Sequence, residues 1–269
     1  MIATNSALDN AGHALLPGDA TLRDYAEALR ALDPHLIIEQ ISARHLSEGR
    51  RGAICIPRAR VLGQQVLFKD AAGTDPVLYD GDPVGLMLDL GPHKLHRWQD
   101  LSAKRVIYRA EEARGLYWLD SSNGGFFNFE PMNLNNGAMF LAAEAPSLSG
   151  TSIFLSGFGS GYFHFGGGGE WRKNFKYVDT PERLSINASK AQRVNLNGGT
   201  ISIRRNDSDI EYTNSDEAST SGMSSASTLF AYPGGGSATH MKFFGGIFLE
   251  HQIPAAEEQV ILDYLARLH

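Results

Sequence analysis

The sequence predicts an all-β sandwich with a helical appendage at its N-terminus and a helix at its C-terminus. Three observations predict it. Short apolar-aromatic runs, bounded by Gly, Asn, Ser or Pro, recur from about residue 52 onward without helices between them. Glycine is frequent, 29 of 269 residues, as a chain with many tight turns requires. The apolar period changes from helical to strand-like near residue 52 and returns to helical after Pro254.

Residues 1 to 18 read as a polar arm, and Asp19 as a helix N-cap. Leu22, Tyr25, Ala26, Leu29 and Leu32 follow at spacings of three and four, which makes one apolar stripe. Asp33-Pro34 stops that helix and starts another, with Asp33 as cap and Pro34 in its first turn. Leu36, Ile37, Ile38 and Ile41 give the second apolar face, which ends near Gly49. Residues 19 to 48 are therefore expected to form a helical hairpin. Such a hairpin is too small to be stable alone, so it either covers the sandwich or docks onto a larger assembly. The expected organisation is a segment 1-50, the arm and hairpin that would serve attachment, and a sandwich 51-269 that includes the terminal helix.

The expected strands are centred on Val106-Tyr108, Leu116-Leu119, Phe126-Phe129, Ala138-Leu141, Ser152-Leu155 and Tyr162-Phe165. The clearest hairpin is Arg193 to Arg204. Val194 and Leu196 share a face with Ile201 and Ile203, and Asn197-Gly198-Gly199 supplies the turn. Its arginines and polar residues are expected on a wet face. Residues 205 to 227 read as a long, exposed, Ser-rich excursion. Strands resume at Thr228-Tyr232 and Met241-Glu250. In the last helix, Glu257 and Glu258 suit the positive end, and Val260, Ile261, Tyr264, Leu265 and Leu268 carry the apolar face.

The formal net charge of −6 argues against sequence-independent nucleic-acid binding, which needs a basic surface. No run of about 18 apolar residues exists, so no membrane span is expected. The opening stretch has neither a basic start nor a continuous apolar core, so no secretory signal is expected. The single cysteine, Cys55, lies between Ile54 and Ile56 and reads as a small buried hydrophobe in a chain that folds in a reducing cytoplasm.

The stretch from Gln65 to Gly91 carries Asp70, Asp75, Asp80, Asp82 and Asp89 among Gly and Pro turns. The run Lys69-Asp70-Ala71-Ala72-Gly73-Thr74-Asp75-Pro76-Val77, then Gly81-Asp82-Pro83-Val84-Gly85-Leu86, resembles the opening segment of concanavalin A-like (laminin-G-like) sandwiches in bacteriophage and prophage particle proteins. The Asn197-Gly198-Gly199 hairpin resembles the central strand-turn-strand of such modules. Phe243-Phe244-Gly245-Gly246-Ile247-Phe248-Leu249 followed by Pro254-Ala255-Ala256-Glu257-Glu258 and Tyr264-Leu265 is similar to their closing strand and helix. The resemblance spans roughly residues 60 to 268. It implies a concanavalin A-like jelly-roll β-sandwich and a non-enzymatic virion component, associated with a tail, fibre or baseplate. That component would bind a host-surface glycan or a neighbouring virion protein. The implied partners are other virion proteins and bacterial surface polysaccharide, with self-association into a homo-oligomer, and the implied location is the virion, or the host cytoplasm during assembly. The alternatives are a carbohydrate-active hydrolase on the same fold and a purely structural virion protein.

One departure bears on metal. Many such modules place a Phe-Asp-Gly-x-Asp-Asp segment after the early strand, where this chain has Trp118-Leu119-Asp120-Ser121-Ser122-Asn123-Gly124-Gly125-Phe126. The acidic pair is missing, and calcium usually takes several carboxylates. No cofactor is expected, with calcium the ion to be tested. The metal candidates are Asp207, Asp209 and Glu211, which alternate along DSDIE; a solvated acidic face is the main reading, with metal binding and glycoside hydrolysis as alternatives. His93 and His96 have metal-ligand spacing without an evident third ligand and read as loop histidines. No catalytic residue is assigned, because no glycosidase or serine-nucleophile motif is present. The candidate ligand-binding surface is Tyr162, His164, Trp171, Arg172, Asn174 and Tyr177. There a Gly-rich loop would expose rings that stack on sugar C–H faces and polar groups that bond hydroxyls. The competing reading places Trp171 and Phe175 over the core.

Overall fold

The computed structural model describes residues 34–47, 49–134, 136–144, 152–158, 161–165, 171–173, 176–177, 191–197, 200–205, 212–214, 223–231 and 240–269. The arm, the first expected helix and the metal candidates Asp207, Asp209 and Glu211 lie outside them.

Two antiparallel sheets form the described fold. The first runs, in spatial order, Tyr212–Asn214, Thr200–Arg205, Gln192–Asn197, Ala138–Glu144, Lys242–Leu249, Leu116–Asp120, Val106–Glu111 and Pro83–Val84. The strand Lys242–Leu249 is its hub. Along one edge its start pairs with Leu116–Asp120 and its end with Gly52–Cys55; along the other it pairs with Ala138–Glu144 throughout, with a bulge between Ala142 and Ala143. The second sheet runs Lys176–Tyr177, Trp171–Lys173, Gly161–Phe165, Ser152–Phe158, Met223–Leu229, Phe127–Phe129, Arg97–Trp98, Leu86–Met87 and Leu67–Phe68.

The core lies between them. Phe127, Phe129, Leu229 and Met87 of the second sheet join Val106, Leu119, Phe140 and Phe248 of the first in one buried cluster. Arg97 is buried there, its guanidinium carbon 4.6 Å from the Phe129 ring centre and 5.3 Å from that of Phe248, so one cation touches both sheets. All-β architecture with a helix towards each end is therefore what the chain adopts.

The two hub strands explain their own sequences. Ala138–Glu144 and Lys242–Leu249 are near-continuous apolar runs because both of their faces are covered. The second sheet covers one face; the helix Ala255–Leu265 lies against Ala138–Glu144, Gln192–Asn197 and Lys242–Leu249 on the other. Val260, Ile261, Leu262, Tyr264 and Leu265 of that helix are buried, as its apolar stripe requires. Glu258 is buried too, at 3% exposure, and does more than favour the helix dipole. It pairs with Arg193 at 3.2 Å and Arg204 at 3.5 Å. The arginine side of the Arg193–Arg204 hairpin, expected to be wet, is thus the seat of the terminal helix. The hairpin's apolar pairing is the expected one, with Val194 opposite Ile203 and Leu196 opposite Ile201, while Asn197 ends its strand opposite Thr200.

The second expected helix is present as a turn Pro34–Leu36 continuing into Ile37–His45. Ile37, Ile38, Ile41 and Leu46 belong to the main core cluster. Arg44 reaches Glu257 at 3.2 Å, and His35 bonds the Tyr264 hydroxyl at 2.9 Å. This helix covers the sandwich and the terminal helix. The Ser-rich stretch also departs from expectation. Met223–Leu229 is an interior strand between Phe127–Phe129 and Ser152–Phe158, with Ser227 and Thr228 buried. Small and β-branched polar residues fit a sheet interior when their hydroxyls find partners.

The five aspartates of the 65–91 segment are scaffolding. Asp70 accepts the Thr74 amide at 2.8 Å and also takes its hydroxyl. Asp82 accepts the amides of Leu78 and Tyr79 at 2.9 and 3.0 Å. Asp80 accepts Ala110 N–H at 2.9 Å, and Asp75 pairs with Lys69 at 3.1 Å. Asp89, nearly buried, accepts three amides: Ile54 at 2.7 Å, Gly91 at 2.8 Å and Leu95 at 2.9 Å. Carboxylates committed to turn amides in this way are Asx-type locks rather than a metal cage.

Candidate functional site

The outer face of the first sheet carries a cleft of about 320 Å³ beyond the end of the terminal helix. Strand alternation builds it. Leu119 and Phe243 pair across the ladder and point inward, fully buried. Their neighbours Leu116 and Trp118 on one strand, and Lys242 and Phe244 on the other, therefore point outward into the cleft. Glu144 arrives from the next strand, where it pairs in register with Lys242. Glu111 arrives from the opposite side, paired in register with Leu116. Arg114 follows in the tight turn Glu112–Arg114, which Gly115 closes at φ 66°.

Trp118 is the platform. Its ring lies 6.0 Å from that of Phe244, which in turn meets the His269 ring at 5.5 Å. Lys242 Nζ stands 5.9 Å from the Trp118 ring centre and 3.3 Å from a Glu144 carboxylate oxygen. Arg114 pairs with Glu111 at 3.2 Å. Burial pushes the His269 imidazole below its usual pKa, with Glu144 opposing. The Trp118 indole nitrogen is buried and has no acceptor among the described residues. A buried donor without a partner is costly, and an acceptor placed in the cleft relieves it. The cleft thus offers an aromatic ring whose buried N–H lacks a partner among the described residues, and two carboxylates, each beside a cation.

The binding surface expected at Tyr162, His164, Trp171, Arg172, Asn174 and Tyr177 falls elsewhere. Its strands form one end of the second sheet, where His164 pairs with Arg172 and Arg172 with Tyr177 in register, while Asn174 lies outside the described residues. Backbone pairing brings the described positions together on that sheet.

The other candidates have structural partners. His93 Nε2 donates to the Arg50 carbonyl at 2.8 Å, and His96 Nδ1 accepts the Asp89 amide at 3.0 Å. Cys55 is fully buried and its thiol is pushed up to about 11, chiefly by burial, so it is no nucleophile. Within the Trp118-to-Phe126 stretch, Asp120 accepts the Ser122 amide at 2.8 Å and Asn123 the Gly125 amide at 3.0 Å, which makes it a turn. Among the described residues no three His, Cys, Asp or Glu side chains converge as metal ligands, and no helix is long and apolar enough to cross a membrane.

Sequence reasoning missed the cleft residues Glu111, Arg114, Trp118, Glu144 and Lys242. One signal was present: Trp118 and Leu116 on one strand, and Lys242 and Phe244 on another, alternate with core residues. Nothing local in the sequence joins Glu144 to Lys242 across 98 positions.

No protein-family model matches the chain, and no curated protein does. Among solved structures, it is similar to Trypanosoma rangeli sialidase at 13% identity and a TM-score of 0.42, over 90% of this chain and 39% of that one. The same sialidase in complex with 2,3-difluoro-KDN gives 10% identity and a TM-score of 0.44, over 89% and 39%. A mutant of it displaying trans-sialidase activity gives 10% and 0.40, over 89% and 39%. The chain spans well under half the length of these proteins, and likenesses of this size transfer no chemistry to it. The comparisons do correct one expectation. The reading as a phage or prophage virion component finds no particle family and no curated particle protein behind it, and the solved structures named above are of a sialidase.

Proposed function

We propose that this chain is a carbohydrate-active hydrolase whose saccharide site is the Trp118 cleft. The observation that carries the reading is the convergence there of an aromatic ring with an unpartnered indole N–H and two carboxylates, Glu111 and Glu144. A pyranose presents an apolar C–H face that stacks on such a ring, and hydroxyls that bond carboxylates and cations. Glycoside hydrolysis needs two carboxyl groups on opposite sides of the bond. Glu144, held by Lys242, is assigned the base. Glu111, on the far side of Trp118, is assigned the acid. Their strands are three ladder steps apart, about 14 Å at the usual strand spacing. That spacing is far from the close pair of retaining enzymes, and the wide separation of inverting ones is the nearer match. The proposed fold is the concanavalin A-like jelly roll, supported by the antiparallel sheet pair and by the closing strand followed by a helix.

The test is release of reducing ends from a panel of neutral and acidic polysaccharides, bacterial surface polysaccharides among them. Turnover by the wild-type chain, lost in Glu144→Gln and in Glu111→Gln, supports the reading. Retention of intact glycan without turnover reduces it to a binding module, and inactivity with no retention across the panel removes it.

A further inference from the structure

A second cleft, of about 550 Å³, opens where the two helices and the strand Lys242–Leu249 come together. It shares no residue with the Trp118 cleft. Arg44, His45, Arg50, His251, Pro254 and Glu257 line it. We propose that it binds a tetrahedral oxyanion, a phosphate or sulfate group borne on a small molecule.

Three observations meet there. The first is the start of the eleven-residue helix Ala255–Leu265. Pro254 occupies its N-cap and provides no side-chain cap, and the amides of Ala255 and Ala256 have no acceptor among the described residues. An open helix N-terminus is an anion site in waiting.

The second is a pair of histidines with unmet hydrogen-bonding capacity. His45 is 3% exposed, and its Nδ1 has no partner. Its Nε2 comes within 2.9 Å of a Glu257 oxygen without the alignment of a hydrogen bond. His251, its ring 6.3 Å from that of His45, has both nitrogens buried and unpartnered. Each neutral imidazole has one N–H, which it can donate to an incoming oxyanion.

The third is charge. Arg44 is neutralised by Glu257 at 3.2 Å. Arg50 has no carboxylate partner among the described residues; its guanidinium donates only to the Arg44 carbonyl at 3.1 Å. The cleft therefore keeps one uncompensated cation in a chain of net charge −6. The positive environment is felt by the imidazoles. His45 is lowered to about 4, first by burial and then by His251, Arg44 and Arg50. His251 is lowered by burial and by Arg50, against Glu250. An oxyanion would meet the Arg50 fork, the helix amides and the imidazole donors at once. The cleft is of small-molecule size, so it accommodates the carrier of the group as well as the group itself.

The experiment is a calorimetric titration of the full chain with inorganic phosphate, methyl phosphate and sulfate in a chloride background. Histidine ring signals are followed in parallel by NMR. The expected result is saturable binding with shifts confined to the His45 and His251 rings. Arg50→Gln, a change at an exposed side chain, weakens binding about tenfold or more. Glu257→Gln removes the opposing negative charge and strengthens it, which a purely structural role for Glu257 does not produce. Absence of heat and of ring shifts, unchanged affinity in Arg50→Gln, or weaker binding in Glu257→Gln would each overturn the proposal.

Discussion

Replacing Asp89 with Ala is predicted to be among the most damaging single changes in this chain. Asp89 is 7% exposed, and its carboxylate accepts the amides of Ile54, Gly91 and Leu95 at 2.7 to 2.9 Å. It ties the strand Gly52–Cys55, the end of the 65–91 segment and the loop before Arg97 into one unit. Hydrogen bonds to a charged group are worth about 1.5–3 kcal/mol each, and three of them give at least about 4.5 kcal/mol. Water entering the vacated site recovers part of that, so the expected loss is about 3–4 kcal/mol. For a chain of this size that lowers the Tm by roughly 6 °C. Asp89→Asn keeps the shape and one acceptor oxygen. The Oδ1 position serves both Ile54 and Gly91, so an amide oxygen placed there leaves its NH2 facing the Leu95 N–H. The Asn variant should therefore fall between wild type and Ala, nearer wild type. Urea unfolding followed by fluorescence of the three tryptophans measures both. An Ala variant within about 0.5 kcal/mol of wild type, the range of ordinary surface changes, would refute the reasoning.

Glu258→Gln, which leaves Arg193 and Arg204 facing a neutral group in a buried site, is expected to cost about 3–5 kcal/mol, read from the same unfolding curves. A chain beginning at residue 51 loses Ile37, Ile38, Ile41 and Leu46 from the core, at about 1.5–3 kcal/mol of burial each, and should show a collapsed or absent unfolding transition. His45 binds its proton at about 4 in the folded chain and at 6.5 when unfolded, so the unfolded chain takes up the extra proton as pH falls. Stability should decline from pH 6.5 towards 4, by at most about 1.4 kcal/mol per pH unit, and His45→Gln should flatten that slope in acid titrations of unfolding. If the Trp118 cleft hydrolyses a glycoside with widely set carboxyls, the first-formed sugar seen by proton NMR has the inverted anomeric configuration.

Much of the fold was legible because periodicity reports burial directly. Apolar-aromatic runs such as Leu116–Leu119 and Ala138–Leu141 became strands, and the stripe from Val260 to Leu265 became a helix with that stripe buried. The Arg193–Arg204 register followed from its apolar alternation. Met223–Leu229 was not legible, because Ser and Thr announce a loop unless their hydroxyls find partners inside a sheet, and those partners are set by tertiary structure. Nor was the seat of the terminal helix: arginines on an apparently wet face gave no sign that Glu258 would bury itself between them. The site was less legible still. Trp118 stood in a segment read as a strand and weighed for calcium but not for a ligand, and the cleft needs four strands drawn from residues 106 to 249 before Glu111, Trp118, Lys242 and Glu144 meet. Clusters adjacent in sequence, such as Tyr162 to Tyr177, draw attention that dispersed residues do not.

The most direct test of the hydrolase reading is the turnover of a polysaccharide found active in the reducing-end screen, measured for wild type, Glu144→Gln, Glu111→Gln and Trp118→Ala. The account predicts that the two glutamine variants lose about 10²-fold or more in kcat, as expected for loss of a general acid or base. It predicts that Trp118→Ala weakens saccharide binding by about 1–2 kcal/mol, as loss of an aromatic platform should. Unchanged kcat in both glutamine variants would contradict it and move the chemistry, if any, away from this cleft.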